Sequence, residues 1–130
     1  MSEFLIEREF IYKGFQCCII LQSAGWRCGY VNVKYTTLKY VDYSDIGFID
    51  VHGGLTYAST HLAGHDEHDD WWIGWDYAHT GDGIDATALY EKLGIVIDRW
   101  LDGHIYTEQE IEDDCKSVVD QILNHYGIQL

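Results

Sequence analysis

Proline is absent from this 130-residue chain, and only eight lysines and arginines stand against 22 aspartates and glutamates. Without proline, turns fall to Gly, Asn, Asp and Ser, and no proline-rich linker divides the chain. No apolar stretch approaches the roughly 20 residues of a membrane span, so no membrane association is expected. The amino terminus carries Glu3, Glu7 and Glu9 where a secretory leader needs a basic region before an apolar run, which makes the cytoplasm the expected compartment. Cys17, Cys18, Cys28 and Cys115 include an adjacent pair and no CxxC. That spacing suggests neither a disulfide framework nor a zinc knuckle, so reduced, buried thiols are expected. The shortage of cations leaves a formal charge of −14, which repels phosphate backbones and anionic surfaces and argues against direct nucleic-acid binding. Such a charge serves solubility, or it steers a basic partner to a docking surface.

Apolar residues make up 47% of the chain and aromatics 15%, too many for a disordered segment. The length fits a single domain over 1–130 with a real core. Two β-rich runs, 4–12 and 15–21, flank Lys13-Gly14 and read as a hairpin; a third run over 26–33 completes a meander. The segment 34–46 reads as a loop. The runs 48–51 and 55–59 bracket His52-Gly53-Gly54 and read as a tight hairpin or as strands interrupted at a bulge. Trp71 to Tyr77 is the expected central strand, with Gly74 marking a close backbone approach or a bulge. Asp85 or Thr87 is placed to cap a helix carrying Leu89, Leu93, Val96 and Trp100 and ending near Gly103. Thr107 and Glu110 form a capping box before a second helix with Ile111, Cys115, Val118, Ile122 and Tyr126 on one face, closed by Gly127. The expected fold is α+β: a mainly antiparallel sheet of about five to six strands, followed by two C-terminal helices packed on one face.

His61, His65, Asp66, Glu67, His68, Asp69 and Asp70 include the ligand types of a transition-metal site. Gly64 and the density of aspartate favour a solvated loop, and no metal or cofactor is expected there. His52, Asp76, His79 and Asp82 form a second constellation. They suit a water-activating metal or an acid/base pair, but a structural or ligand-orienting role at turns is the favoured reading. In a strand, Trp71, Ile73, Trp75 and Tyr77 face one side and Trp72, Gly74 and Asp76 the other. Both tryptophan layers read best as core, with Trp72 the candidate for an exposed stacking platform or interface anchor. No nucleophile elbow, phosphate loop or dinucleotide fingerprint is present.

Gly-Trp-Arg-Cys-Gly-Tyr-Val at 25–31, Val-His-Gly-Gly-Leu-Thr-Tyr at 51–57 and Trp-Trp-Ile-Gly-Trp-Asp-Tyr-Ala-His-Thr-Gly-Asp at 71–82 resemble a family of small phage and prophage proteins of uncharacterised activity. The chain departs from that pattern in lacking prolines after the third strand and in carrying Tyr77 where a small residue or Cys is expected. The resemblance implies a phage-encoded anti-defence protein in the host cytoplasm, acting by binding and in the manner of an anti-CRISPR protein. On this reading Glu108, Glu112, Asp113 and Asp120 dock on a basic host nuclease or effector. A second reading is a sponge that sequesters a nucleotide signal, with His52, Tyr57, Trp72, Asp76, His79 and Asp82 as ligand-binding residues and Arg27, Lys34 and Lys39 as the available cations. A third is a metal-dependent hydrolase at His52, Asp76, His79 and Asp82. Self-association is open on all three.

Overall fold

The computed structural model describes residues 4–62, 65, 67–97 and 103–128. Strands β1 (Phe4–Tyr12), β2 (Phe15–Gln22), β3 (Arg27–Asn32), β4 (Tyr57–Ser59) and β5 (Trp72–Asp76) form one sheet in the order β1-β2-β3-β5-β4, antiparallel throughout. Lys13 and Gly14 close the first hairpin at φ 49° and 85°, the pair of positive angles that a two-residue turn needs to match strand twist. The aromatic run is an interior strand with a neighbour on each side, while the middle position belongs to β3.

The pairing of β1 with β2 slips between Ile6 and Arg8. This bulge turns the side chains of Glu7 and Arg8 toward the same face, where each meets helical partners. Two further pairs set the sheet's thickness. Gly29 lies opposite Trp75 and Gly74 opposite Tyr30, so each ring lies over a glycine on the neighbouring strand. A Cβ at Gly74 would stand 2.4 Å from Tyr30 Cδ1, which makes this glycine a close approach rather than a bulge.

Helix α2 (Glu108–His125) covers one face. Its expected capping box is present: Thr107 Oγ1 accepts from the Glu110 N–H at 3.2 Å, and Glu110 Oε1 accepts from the Thr107 N–H at 3.1 Å. Ile111, Cys115, Val118 and Ile122 are buried against Cys17, Ile19, Val31, Val33, Ile73, Trp75 and Tyr77. Tyr126, expected on the same stripe, is instead 40% exposed at the helix end, with its ring edge-on to Phe48.

The shorter helix, α1 (Ala86–Ala88), is capped by Asp85 and widens into a π turn at Leu89–Leu93. It packs on the same sheet face through Leu21, Ile84, Ala88 and Leu89. It stops well before Gly103, because Gly94 takes a left-handed φ of 67° and its N–H turns back to the Tyr90 carbonyl at 3.1 Å. Val96 is therefore 78% exposed rather than on a buried stripe, and Trp100 lies outside the described residues.

The segment 48–51 forms no strand. Its backbone groups go to a side chain: Gln121 accepts from the Asp50 N–H at 2.7 Å and donates to the Asp50 carbonyl at 2.8 Å, and Phe48 stacks on His125 at 3.7 Å. The opposite sheet face buries Cys18, Ile20, Cys28, Tyr30, Leu62 and Trp72 in a second cluster. All four cysteines are free and buried.

Candidate functional site

Beyond β5 the chain turns back on itself through Asp82, which is only 5% exposed. Its Oδ2 accepts from the His79 backbone N–H at 2.9 Å, and its own N–H donates to the His79 carbonyl at 2.9 Å. The same carboxylate meets His52 Nε2 at 2.9 and 3.1 Å. The His52 ring stacks on Tyr77 (5.0 Å, 10°) and tilts against Tyr106 (4.7 Å). Tyr77 Oη accepts from Trp75 Nε1 at 2.8 Å and donates to Asp114 at 2.5 Å. Burial first, and then the Asp114 carboxylate, pushes the Tyr77 hydroxyl above its usual range, so it stays a proton donor. His104 stands edge-on to Tyr106 and reaches Glu110 at 2.7 Å.

His79 Nε2 lies 3.2 Å from Asp76 Oδ1, but without the alignment of a hydrogen bond, and it is buried without a hydrogen-bond partner. Gly53 lies directly against it, where a Cβ would come within 2.1 Å of Nε2. The cluster thus ties the 52–54 turn, the 77–82 turn, the 104–106 segment and α2 together. The His52–Asp82 pair is chemically able to move a proton. A separate cavity, bounded by Tyr77, Tyr106, Arg27 and Asp85 and lined by neither His52 nor Asp82, measures about 10 Å³, room for about one water. Among the described residues no three His, Cys, Asp or Glu side chains converge as a metal would require.

His52, His79 and Asp82 are therefore brought together, with Asp76 at the margin, accepting from the Ala78 N–H at 3.1 Å and Thr56 Oγ1 at 3.2 Å. Tyr57 and Trp72 are not part of this cluster. They lie on the other sheet face, Tyr57 edge-on to Tyr30 at 5.4 Å and Trp72 beside His65 at 5.2 Å. Trp72 is 1% exposed, so it is core and not a stacking platform; Leu62 and His65 cross over that face. Tyr106 and Asp114 were missed from sequence. Asp114 sits beside the buried Cys115 on α2, and a carboxylate next to an apolar stripe was the one available signal.

In the histidine-rich segment, His65 pairs with Glu9, and Asp70 is buried, accepting from Asn32 at 2.9 Å and pairing with Lys34 at 3.2 Å. Gly64 and Asp66 lie outside the described residues.

Three of the four carboxylates expected to meet a partner are engaged inside the chain. Glu108 pairs with Arg8 (3.1 Å) and Lys92 (2.9 Å), Glu112 with Arg8 and Lys116 (3.0 Å each), and Asp120 with Lys13 (2.9 Å) and the Tyr12 hydroxyl (3.1 Å). Asp113 is exposed and, among the described residues, accepts only from Gln109 of its own helix, at 3.0 Å. Arg27, 6% exposed, grips Glu7 through two nitrogens (2.6 and 3.0 Å) and reaches Asp85 at 2.8 Å and the Tyr106 carbonyl at 3.0 Å. Burial works against its charge, but Glu7 and Asp85 outweigh burial and hold the guanidinium above its ordinary value. Lys39 pairs with Asp69 at 3.6 Å. Every lysine and arginine among the described residues thus has a carboxylate partner.

Fold and site together define a small antiparallel α+β domain with a histidine, tyrosine and aspartate clamp at one end of its sheet. Comparisons with protein-family models, with curated proteins and with solved structures find no match.

Proposed function

We propose that this chain is a non-catalytic binding protein that docks acidic surface on a basic protein. Following the resemblance, its setting is phage counter-defence, and the partner is a host nuclease or effector whose nucleic-acid channel it occupies. The observation that carries this reading is the internal use of positive charge: each described cation is neutralised within the chain, while Asp42, Asp45, Asp50, Glu67, Glu91 and Asp113 are exposed without a lysine or arginine partner among the described residues. A surface of that kind attracts a basic partner at long range and repels nucleic acid.

The same observation weighs against the nucleotide sponge. Arg27, Lys34 and Lys39, which would have cradled phosphates, are held by Glu7, Asp85, Asp70 and Asp69. The hydrolase reading has a His52–Asp82 pair, but among the described residues no three metal-ligating side chains converge beside it.

The test is displacement. A fluorescently labelled nucleic acid bound to a purified basic nuclease is titrated with this protein and followed by anisotropy. The expected result is stoichiometric release of the nucleic acid. Unchanged anisotropy across a panel of such nucleases, with a nucleotide or metal found by native mass spectrometry, would overturn the proposal.

A further inference from the structure

We propose that the docking face is the tyrosine loop over 35–45 together with Tyr126, and that it receives arginine side chains of the partner. This rests on the binding reading and replaces the α2 carboxylates as its surface.

The loop is a run of turns ending in a short 3-10 helix, Tyr43–Asp45, capped by Asp42, with apolar residues turned in and tyrosines out. Leu38 and Ile46 are buried, whereas Tyr35, Tyr40, Tyr43 and Tyr126 are 86%, 59%, 41% and 40% exposed. Exposed aromatics at this density are uncommon on a surface that only keeps a chain in solution, and tyrosine is a preferred interface anchor. The loop is also held in place. Trp71 Nε1 donates to the Val41 carbonyl at 2.9 Å, the Tyr40 ring stands edge-on to Trp71 at 5.4 Å, and Thr37 Oγ1 donates to the Tyr126 hydroxyl at 2.7 Å. Tyr40 sits at a φ of 68°, a region that a bulky side chain seldom adopts. The Tyr40 and Tyr126 rings, fixed in advance, lose little entropy on binding.

The charge around these rings selects the partner. Asp42, Asp45, Glu67 and Asp69 are exposed on or beside the loop. Two rings already attract cations from their own chain, Lys34 lying 5.1 Å from the Tyr35 centroid and Lys39 5.0 Å from that of Tyr40. Both lysines are paired with Asp70 and Asp69, which leaves Asp42, Asp45 and Glu67 without a lysine or arginine partner among the described residues, so an incoming cation meets the remaining ring faces bordered by uncompensated carboxylates. Arginine fits better than lysine, because its planar guanidinium stacks on a ring while its edge meets a carboxylate in two places. Bases also stack on tyrosine, but their phosphates would meet the same carboxylates.

The experiment titrates the full ¹⁵N-labelled chain with an arginine-rich and a lysine-rich peptide of equal length and charge, following amide shifts. The inference predicts shifts concentrated at 35–45, 68–71 and 126, with the arginine peptide bound roughly two- to fivefold tighter. It also predicts that Tyr35→Ala with Tyr43→Ala removes that preference, while amide positions in α2 and the sheet confirm an unchanged fold. Binding of both peptides with shifts centred elsewhere, for example around Glu91 and Glu110, or a preference that survives the double variant, would overturn the docking face and leave the acidic-binding reading standing. Absence of binding by either peptide at low salt would overturn both.

Discussion

Gly74 shows how a single residue sets the sheet. Its missing Cβ is the space that the Tyr30 ring occupies, and Gly29 does the same for Trp75 on the opposite face. Gly74→Ala must push a buried ring or the backbone aside, so it should cost about 1–3 kcal/mol in chemical denaturation. A variant as stable as the parent would contradict this packing. The glycine's close approach was legible from its place inside an apolar strand; the ring above it was not, because register between β3 and β5 is a long-range property. The thiols give a second prediction at this scale. Burial pushes Cys18 up to about 12 and raises Cys28 as well. The folded protein should resist a thiol reagent at neutral pH, and all four cysteines should react once it is unfolded; fast labelling of the native chain would refute their burial.

At the level of elements, α2 was readable from its capping box and stripe, and α1 only from its start. The 3.6-residue period of Leu89, Leu93 and Val96 continues past Gly94, but a left-handed residue ends a helix whatever the period beyond it. Ile122 is 1% exposed within the α2 stripe, so Ile122→Ala should cost about 2–5 kcal/mol, seen as a melting point several degrees lower. An unchanged melting point would place that face wrongly.

The carboxylates of α2 could not be sorted from sequence into free and engaged, because the bulge that turns Arg8 toward them leaves no local signature. Glu112→Lys should lower the melting temperature by a few degrees, since it sets a third cation beside Arg8 and Lys116, whereas Asp113→Lys should leave it unchanged. Equal melting points for the two variants would contradict this division. Hydrogen bonds from Lys92 to Glu108 and from Lys116 to Glu112 hold both carboxyls below their ordinary value of 4.5. A depressed carboxyl pKa stabilises the fold fully above that value and loses its contribution as pH falls through the folded value. Parent stability should therefore decline on acidification below about pH 4.5, and Glu112→Gln should flatten part of that decline.

Across the whole molecule, the order of strand and helix patterns along the chain foretold an α+β fold with strands first and helices last, and the sheet and α2 have that order. His52, His79 and Asp82 were also legible as a constellation of two histidines and a carboxylate at turns, and the structure brings them together although no strand leads into the His52 turn. The place of Tyr57 on the opposite face was not, since it depends on the register in which β4 pairs with β5. Charge works at this scale too: net charge is a sum over sequence, but its outward bias follows from where the cations are used. Rim charges act mainly on the rate of encounter, over a screening length of about 8 Å at physiological ionic strength.

The measurement that bears most directly on the binding account is the association rate with a purified basic partner, by stopped flow, from about 0.05 to 0.5 M salt. The account predicts a rate that falls by about ten-fold or more across that range, with a dissociation rate that changes far less. An association rate indifferent to salt would contradict it.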